Sequence, residues 1–195
     1  MLFLITHAHT QQKKEADATQ WELSETGEAQ AIALARLPLW DDVDRVVVSS
    51  EAKTRLTVAP VLAARRLPMT VDPRLDELRR GSGWVEDYAA RVAEVFAHPN
   101  LAIGGWESAA DALARFVSGI HALRDDAFPQ ETIALVGHGL TLSLFRAHLL
   151  GQDRVDFAEW QRLSFCAVAA IEWPELRLIQ DFQPVPGASL VERGR

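Results

Sequence analysis

The chain has 195 residues, a formal net charge of −7 at neutral pH and a hydrophobic fraction of 48%. This length and composition are typical of one globular domain with a full core. The acidic balance and the lack of a long basic run disfavour nucleic acid and anionic membranes as partners. The sequence has no apolar run of 18 residues and no basic segment before its first apolar run. We therefore predict neither a membrane-spanning helix nor a signal peptide.

Cysteine usage points to a compartment. The single cysteine, Cys166, excludes an intramolecular disulfide framework and fits a reducing environment, so we expect a cytoplasmic protein. Cys166 lies in an apolar run, and we interpret it as a packed core residue rather than a nucleophile.

Strand and helix patterns alternate along the chain. Apolar runs predict strands over residues 1–5, 43–50, 69–72, 132–137, 165–173 and 177–182. Helical periodicity predicts helices over about residues 25–37, 52–66, 87–98, 108–123, 140–150 and 153–162. This order indicates an α/β fold, a three-layer α/β/α sandwich with a mainly parallel sheet and an antiparallel edge. We interpret residues 1–195 as a single domain whose tail, from about residue 184, is mobile.

Two histidines lie just after two of the apolar runs. His7 comes after residues 1–5, and His138 comes after residues 132–137. In open α/β sheets, ligands bind beyond the carboxyl ends of the strands. We therefore expect the two imidazoles to converge at one edge of the sheet. Taken alone, a histidine after a strand more often belongs to a polar turn that ends the strand.

Other polar residues are expected at the same edge. Ser49 ends the second strand, Lys53 lies one turn into the next helix, and Glu77 follows the short strand over 69–72. The lysine stem can carry a cation into a pocket, although a solvated surface position is the common alternative. Gly139 lets the backbone approach an anion, and the helix after His138 is expected to point its amino end there.

This set of groups suits phosphoryl transfer. One neutral imidazole can attack phosphorus and carry the phosphoryl group for a short time. The cations neutralise the oxygens as charge shifts in the transition state. A carboxylic acid with a raised pKa can protonate the leaving oxygen and then deprotonate water.

Five motifs in chain order resemble those of the histidine phosphatase superfamily, which includes the cofactor-dependent phosphoglycerate mutases. The first resembles an Arg-His-Gly-x-Ser/Thr motif, and the last resembles an apolar strand followed by Gly-His-Gly. The matching segments of this chain are residues 6–10, 23–27, 49–57, 74–77 and 136–139. Together they lie within roughly residues 2–150, in the order that the family has.

The resemblance implies a phosphoglycerate mutase-like fold and a phosphomonoester hydrolase that needs no metal or other cofactor. The implied partner is a small phosphorylated substrate, and the oligomeric state is left open, a homodimer included. By this resemblance His7 would be the phosphoryl acceptor, His138 the second catalytic histidine and Glu77 the proton donor. The substrate-binding residues would be Lys53, Thr10, Gly139 and Ser49.

Three positions depart from the family pattern. Thr6 stands where the family has its first arginine, Ala8 replaces a glycine, and Lys53 replaces a second arginine. Loss of the first arginine removes a bidentate phosphate contact. Loss of one preorganised donor typically costs about 10²–10³ in rate. The side chains that could replace this cation are His9, ranked lowest, and Arg55, Arg79 and Arg80.

Two alternatives remain open at this point. The first is a phosphate-binding relative with weak or no activity, suggested by the missing arginine. The second is a metal-dependent hydrolase that uses His7 and His9, although two imidazoles alone do not complete a metal shell.

Overall fold

The apolar runs of the sequence form the strands of one sheet. A computed structural model describes residues 1–81, 83–128 and 130–188. The strands are β1 (Leu2–Thr6), β2 (Arg45–Val48), β3 (Met69–Val71), β4 (Ile133–Gly137), β5 (Ala167–Glu172) and β6 (Arg177–Pro184). The helices are α1 (Glu25–Leu34), α2 (Ala52–Arg65), α3 (Tyr88–Ala97), α4 (Ala109–Asp126), α5 (Gly139–Leu149) and α6 (Phe157–Arg162).

The six strands have the order β3-β2-β4-β1-β5-β6. Strands β1 to β4 run parallel, and β5 and β6 form an antiparallel pair at one edge. The predicted α/β fold with a mainly parallel sheet is therefore confirmed. None of the helices in the described parts of the chain is both long and apolar enough to span a bilayer.

The central strands are apolar on both faces because helices cover both faces. In β2, Val46 and Val48 pack into a core cluster that also contains Val58 and Val61 of α2. Val47 points the other way, into a cluster formed with the inner faces of α4 and α5. This alternation of successive side chains is what turns a continuous apolar run into a two-sided core.

Some element ends differ from the predictions. Helix α1 stops at Leu34 because a 3-10 turn begins at Pro38. Helix α6 begins only at Phe157, since the Asp156 carboxylate accepts the first N–H groups as an N-cap. In the segment expected to be mobile, Val185 is buried against the core, and residues 189–195 lie outside the described residues.

The topology brings three strand ends together. Thr6 at the end of β1 pairs with Gly137 at the end of β4, and Val48 at the end of β2 pairs with Val136. The residues that follow these strands therefore lie side by side at the carboxyl edge of the sheet.

Candidate active site

The imidazole rings of His7 and His138 meet at this edge. Their centroids are 5.3 Å apart, and the ring planes are inclined by 59°. His138 is fully buried and His7 retains 7% exposure, and both line a cavity of about 1060 Å³. The convergence of the two rings agrees with the prediction from the strand pattern.

Hydrogen bonds fix the orientation of the His7 ring. Its Nδ1 lies 2.7 Å from the carbonyl oxygen of Ala8. A carbonyl oxygen only accepts, so Nδ1 carries the proton and the lone pair of the neutral ring is on Nε2. The N–H of Ala8 donates to the Thr57 hydroxyl, which in turn donates to the carbonyl of Lys53. Helix α2 thus holds the turn that carries His7.

The amino end of α1 holds the same turn from the other side. Ser24 Oγ lies 2.7 Å from His9 Nδ1 and accepts the N–H of Gly27, while the N–H of His9 donates to Gln30 Oε1. A Cβ on Gly27 would lie 1.9 Å from the carbonyl oxygen of His9. Glycine is therefore required here by the close approach of the two backbones.

His138 is held from behind by β2 and the start of α2. Its Nε2 lies 2.7 Å from Ser49 Oγ and 3.6 Å from Glu51 Oε1. Ser49 was expected to bind substrate, but it is fully buried and does not belong to the described cavity wall. Its hydroxyl instead links His138 to the N–H of Glu51.

Lys53 and Glu51 form a buried ion pair at the floor of the cavity. Lys53 Nζ donates to Glu51 Oε2, and the two residues are only 3% and 4% exposed. Glu51 Oε1 also accepts the N–H of Glu77. Lys53 therefore reaches the predicted place, but it already has a carboxylate as partner.

Glu77 is a buried carboxyl group at the amino end of α5. Its oxygens accept the N–H groups of Leu78, Leu140 and Thr141 at 2.9–3.1 Å. Burial raises the pKa of Glu77, and the negative charge of Glu51 raises it further. The main-chain N–H donors lower this pKa, but the net direction is upward.

The contacts of α5 correct one expectation. The N–H groups of Leu140 and Thr141 donate to Glu77, so these two amides do not point at an anion in the cavity. Gly139, expected to bind substrate, is buried and lies outside the described cavity wall.

A clamp formed by Arg115 and Glu107 holds the segment that carries Glu77. The Arg115 guanidinium on α4 donates to the carbonyl oxygens of Arg74, Asp76 and Glu77. It also forms a two-contact ion pair with Glu107.

Thr6, which stands where the sequence resemblance would place an arginine, is fully buried and holds the turn that carries Phe165. The Thr6 hydroxyl donates to the carbonyl of Ser164 and accepts the N–H of Ala167. This anchors a tight turn in which Cys166 has a φ of 52°. The Phe165 ring then lies 5.6 Å from the ring of His7 and 5.0 Å from that of His9.

The cavity above this floor has a mixed lining. Of the predicted site residues, it is lined by His7, Thr10, Lys53, Glu77 and His138. Lining residues that sequence reasoning missed are Glu51, Asp76 and Phe165. Trp21, Trp84, Tyr88 and Trp160 add further aromatic rings to the wall.

The side chains considered as replacements for the missing cation divide into two groups. Arg79, Arg80 and His9 line the cavity, whereas Arg55 is exposed on α2. The Arg80 guanidinium lies over the rings of Tyr88 and Trp106, 5.1 and 5.7 Å from their centroids.

No group of three or more His, Cys, Asp or Glu side chains within residues 1–81, 83–128 and 130–188 is arranged to hold a metal ion. The structure therefore adds no support to the metal-dependent alternative.

The fold, with two histidines paired at the carboxyl edge of the sheet, is that of the histidine phosphatases. The chain belongs to the histidine phosphatase superfamily, branch 1, whose family model matches residues 2–178.

Solved structures with the same fold align with almost the whole chain. Bacillus stearothermophilus YhfR is 19% identical with a TM-score of 0.74, covering 94% of this chain and 96% of its own. Mycobacterial glucosyl-3-phosphoglycerate phosphatase is 24% identical with a TM-score of 0.72, covering 94% and 98%. The α-ribazole phosphatase of Shigella flexneri is 23% identical with a TM-score of 0.67, covering 98% and 99%. No curated protein matches the sequence of this chain.

Proposed function

We propose that the protein is a phosphomonoester hydrolase that acts through a phosphohistidine on His7. The observation that carries this proposal is the approach of the His7 and His138 rings to 5.3 Å beside the buried carboxyl group of Glu77. Membership of the histidine phosphatase superfamily supports the same activity.

In the first step, Nε2 of His7 attacks phosphorus and the bond to the ester oxygen breaks. The lone pair is available there because Nδ1 donates to the Ala8 carbonyl. Glu77 gives its proton to the leaving oxygen, a role that its raised pKa favours. The products of this step are the free alcohol, phosphohistidine and the Glu77 carboxylate.

In the second step, the Glu77 carboxylate takes a proton from water, and the water oxygen attacks phosphorus. The bond between phosphorus and His7 Nε2 breaks, so inorganic phosphate leaves with the ring and the carboxylic acid both restored. Lys53 is the proposed cation for the phosphoryl oxygens, with Thr10 on the cavity wall as a further contact. For Ser49 we propose a positioning role, since its hydroxyl bonds to His138.

The proposed partner is a small phosphorylated molecule whose organic part lies against Trp21, Trp84 and Tyr88. Two of the structural neighbours carry the names of phosphatases for glucosyl-3-phosphoglycerate and α-ribazole, which supports a small-molecule substrate. The acidic net charge of −7 disfavours nucleic acid and anionic membranes.

A second candidate is a phosphate-binding relative with little or no turnover. Two observations favour it: the Thr6 hydroxyl is bonded to the chain at Ser164 and Ala167, and Lys53 is paired with Glu51. The site therefore has less uncompensated positive charge than the motif resemblance implies.

The test is a panel of phosphomonoesters with wild type, His7→Ala and His121→Ala, all in the presence of a chelator. His121 is exposed on α4 and serves as the control for removal of an imidazole. We expect modest hydrolysis by the wild type and by His121→Ala, and only background hydrolysis by His7→Ala. In the two proteins that keep His7, an acid-labile phosphoryl group should be trapped on this residue. Equal rates in wild type and His7→Ala would remove His7 from the mechanism. Phosphate binding without turnover would establish the second candidate.

A further inference from the structure

Glu51 is a buried carboxylate that the proposed reaction does not use. It lies among the groups at the floor of the cavity and is 4% exposed. One oxygen accepts from Lys53 Nζ, and the other accepts the N–H of Glu77 and lies 3.6 Å from His138 Nε2. A single side chain thus contacts the buried cation and approaches the second histidine.

These contacts resemble those that an oxyanion would make. A phosphate group at His7 needs donors and positive charge for its oxygens. Lys53 is the cation that the proposed function assigns there, and Glu51 faces both Lys53 and the neighbouring His138. A second anion brought to this floor meets like charge in a buried setting, where electrostatic interactions are strong.

The cations nearer the mouth of the cavity have other partners. Lys14 Nζ is 3.3 Å from Glu86 and lies over the Trp84 ring, and the Arg80 guanidinium lies over Tyr88. Arg79 also lines the cavity but is exposed, so Lys53 is the buried cation that can compensate an anion at His7, and Glu51 decides how much of that charge is available.

We propose that Glu51 is an internal counter-ion that competes with the phosphate group of the substrate and thereby sets the affinity of the site for anions. The inference rests on the proposed function only in that the cavity takes a phosphate group next to His7. When phosphate binds, one of its oxygens replaces a Glu51 oxygen at Lys53 Nζ. The carboxylate must then move away from Lys53. Glu51 is thus a specificity-determining residue that disfavours doubly charged groups with no compensating charge of their own.

The test is the affinity for inorganic phosphate, measured by calorimetric titration at fixed ionic strength and pH. The variant Glu51→Gln keeps the shape and one of the two acceptor oxygens but removes the charge. The control is Glu175→Gln, which makes the same change in the exposed turn between β5 and β6, at the opposite end of the sheet. We expect Glu51→Gln to bind phosphate at least about tenfold more tightly than wild type, since a like charge at a binding site is costly. Glu175→Gln should match the wild type.

A second readout uses the unfolding temperature. A ligand that binds the folded state stabilises it, so phosphate should raise the melting temperature further in Glu51→Gln than in wild type. If Glu51→Gln does not fold, the same measurements are made on Glu51→Ala, which opens space beside Lys53. The proposal is overturned if the folded variant binds phosphate no more tightly than wild type and Glu175→Gln. This measurement needs no turnover, so its outcome is separate from the His7 test.

Discussion

At the scale of single residues, Glu77 is subject to two opposing influences. Burial disfavours its charged form, while three main-chain N–H groups favour it. Burial is the larger influence and is reinforced by Glu51, so the pKa of Glu77 is raised. The carboxylic acid therefore persists to higher pH than an exposed glutamate, which suits a group that must deliver a proton.

We expect Glu77→Gln to lower kcat/KM for alkyl phosphates by about 10²-fold or more, because the leaving alkoxide then receives no proton. For p-nitrophenyl phosphate the loss should be much smaller, since nitrophenolate leaves without protonation. Steady-state kinetics with both substrate types measure this difference. In wild type, the alkyl phosphate rate should fall as pH rises through the raised pKa of Glu77. Equal losses for the two substrate types would show that Glu77 is not the proton donor.

Glu51 shows how a neighbouring residue changes what a motif residue can do. The sequence places Lys53 correctly at the sheet edge, and the spacing of residues 49–57 follows the family motif. The charge available at Lys53 Nζ nevertheless depends on Glu51, two positions earlier, whose carboxylate turns inward to meet it. The motif leaves this position open, so the pairing follows from the three-dimensional arrangement.

At the scale of secondary-structure elements, helix α4 fixes the position of Glu77 from outside the cavity. Arg115 on this helix donates hydrogen bonds to three carbonyl oxygens within residues 74–77 and forms an ion pair with Glu107. The guanidinium is nearly buried, with side-chain exposures of 10% for Arg115 and 12% for Glu107. Removing one partner of such a pair leaves an uncompensated charge and several unsatisfied carbonyl groups.

We expect Arg115→Met to destabilise the fold by about 3–5 kcal/mol and to lower kcat more than it changes KM, because Glu77 loses its support. Arg115→Lys should restore only part of kcat, since lysine keeps the charge without the planar fork. Arg124→Met, which removes a more exposed cation from the same helix, is the control. Urea unfolding and steady-state kinetics provide both measurements. A folded Arg115→Met with the kcat of wild type would contradict the positioning role.

Elements with a strong local pattern could be predicted from the sequence, and contacts made by distant side chains could not. Strands β1, β2 and β4 follow from their continuous apolar runs, and their shared direction brings His7 and His138 together. Phe165 reaches these rings because a turn with positive φ at Cys166 precedes β5. The sequence pattern around Phe165 predicts a strand, so it does not indicate this turn. Arg115 has the pattern of an exposed helix residue, because carbonyl partners leave no trace in sequence periodicity.

At the scale of the whole molecule, buried carboxyl groups at the site and an ion-paired carboxyl group at the antiparallel edge have opposite pKa shifts. Burial raises the pKa of Glu77 and of Asp76 at the site, although hydrogen bonds from Ser50 to Asp76 act against it. Hydrogen bonds from Arg146 lower the pKa of Asp181, whose ion pair joins α5 to β6. Glu77 and Asp76 at the site and Asp181 at the antiparallel edge therefore respond to pH in opposite directions.

The sign of each contribution follows from proton linkage. Asp181 has a lowered pKa in the folded state, so its stabilisation is present above the ordinary value of 3.8 and is lost as pH falls through the lowered value. Glu77 has a raised pKa, so its contribution is most favourable below the ordinary value of 4.5 and declines as pH rises through the raised value.

We therefore expect the free energies of unfolding of Asp181→Asn and Glu77→Gln to diverge from that of wild type in opposite directions as pH rises. Asp181→Asn should be less stable by about 1 kcal/mol at neutral pH, because the pair is partly exposed, and should converge with wild type in acid. Wild type should instead lose stability relative to Glu77→Gln as pH rises. The buried Glu77 carboxyl group then ionises at a cost in free energy, and the uncharged glutamine of the variant does not. Urea unfolding of the three proteins across a pH series measures both trends. Parallel stability curves would show that neither carboxyl group has a shifted pKa in the folded protein, and the acid that the proposed mechanism needs at Glu77 would then be absent at neutral pH.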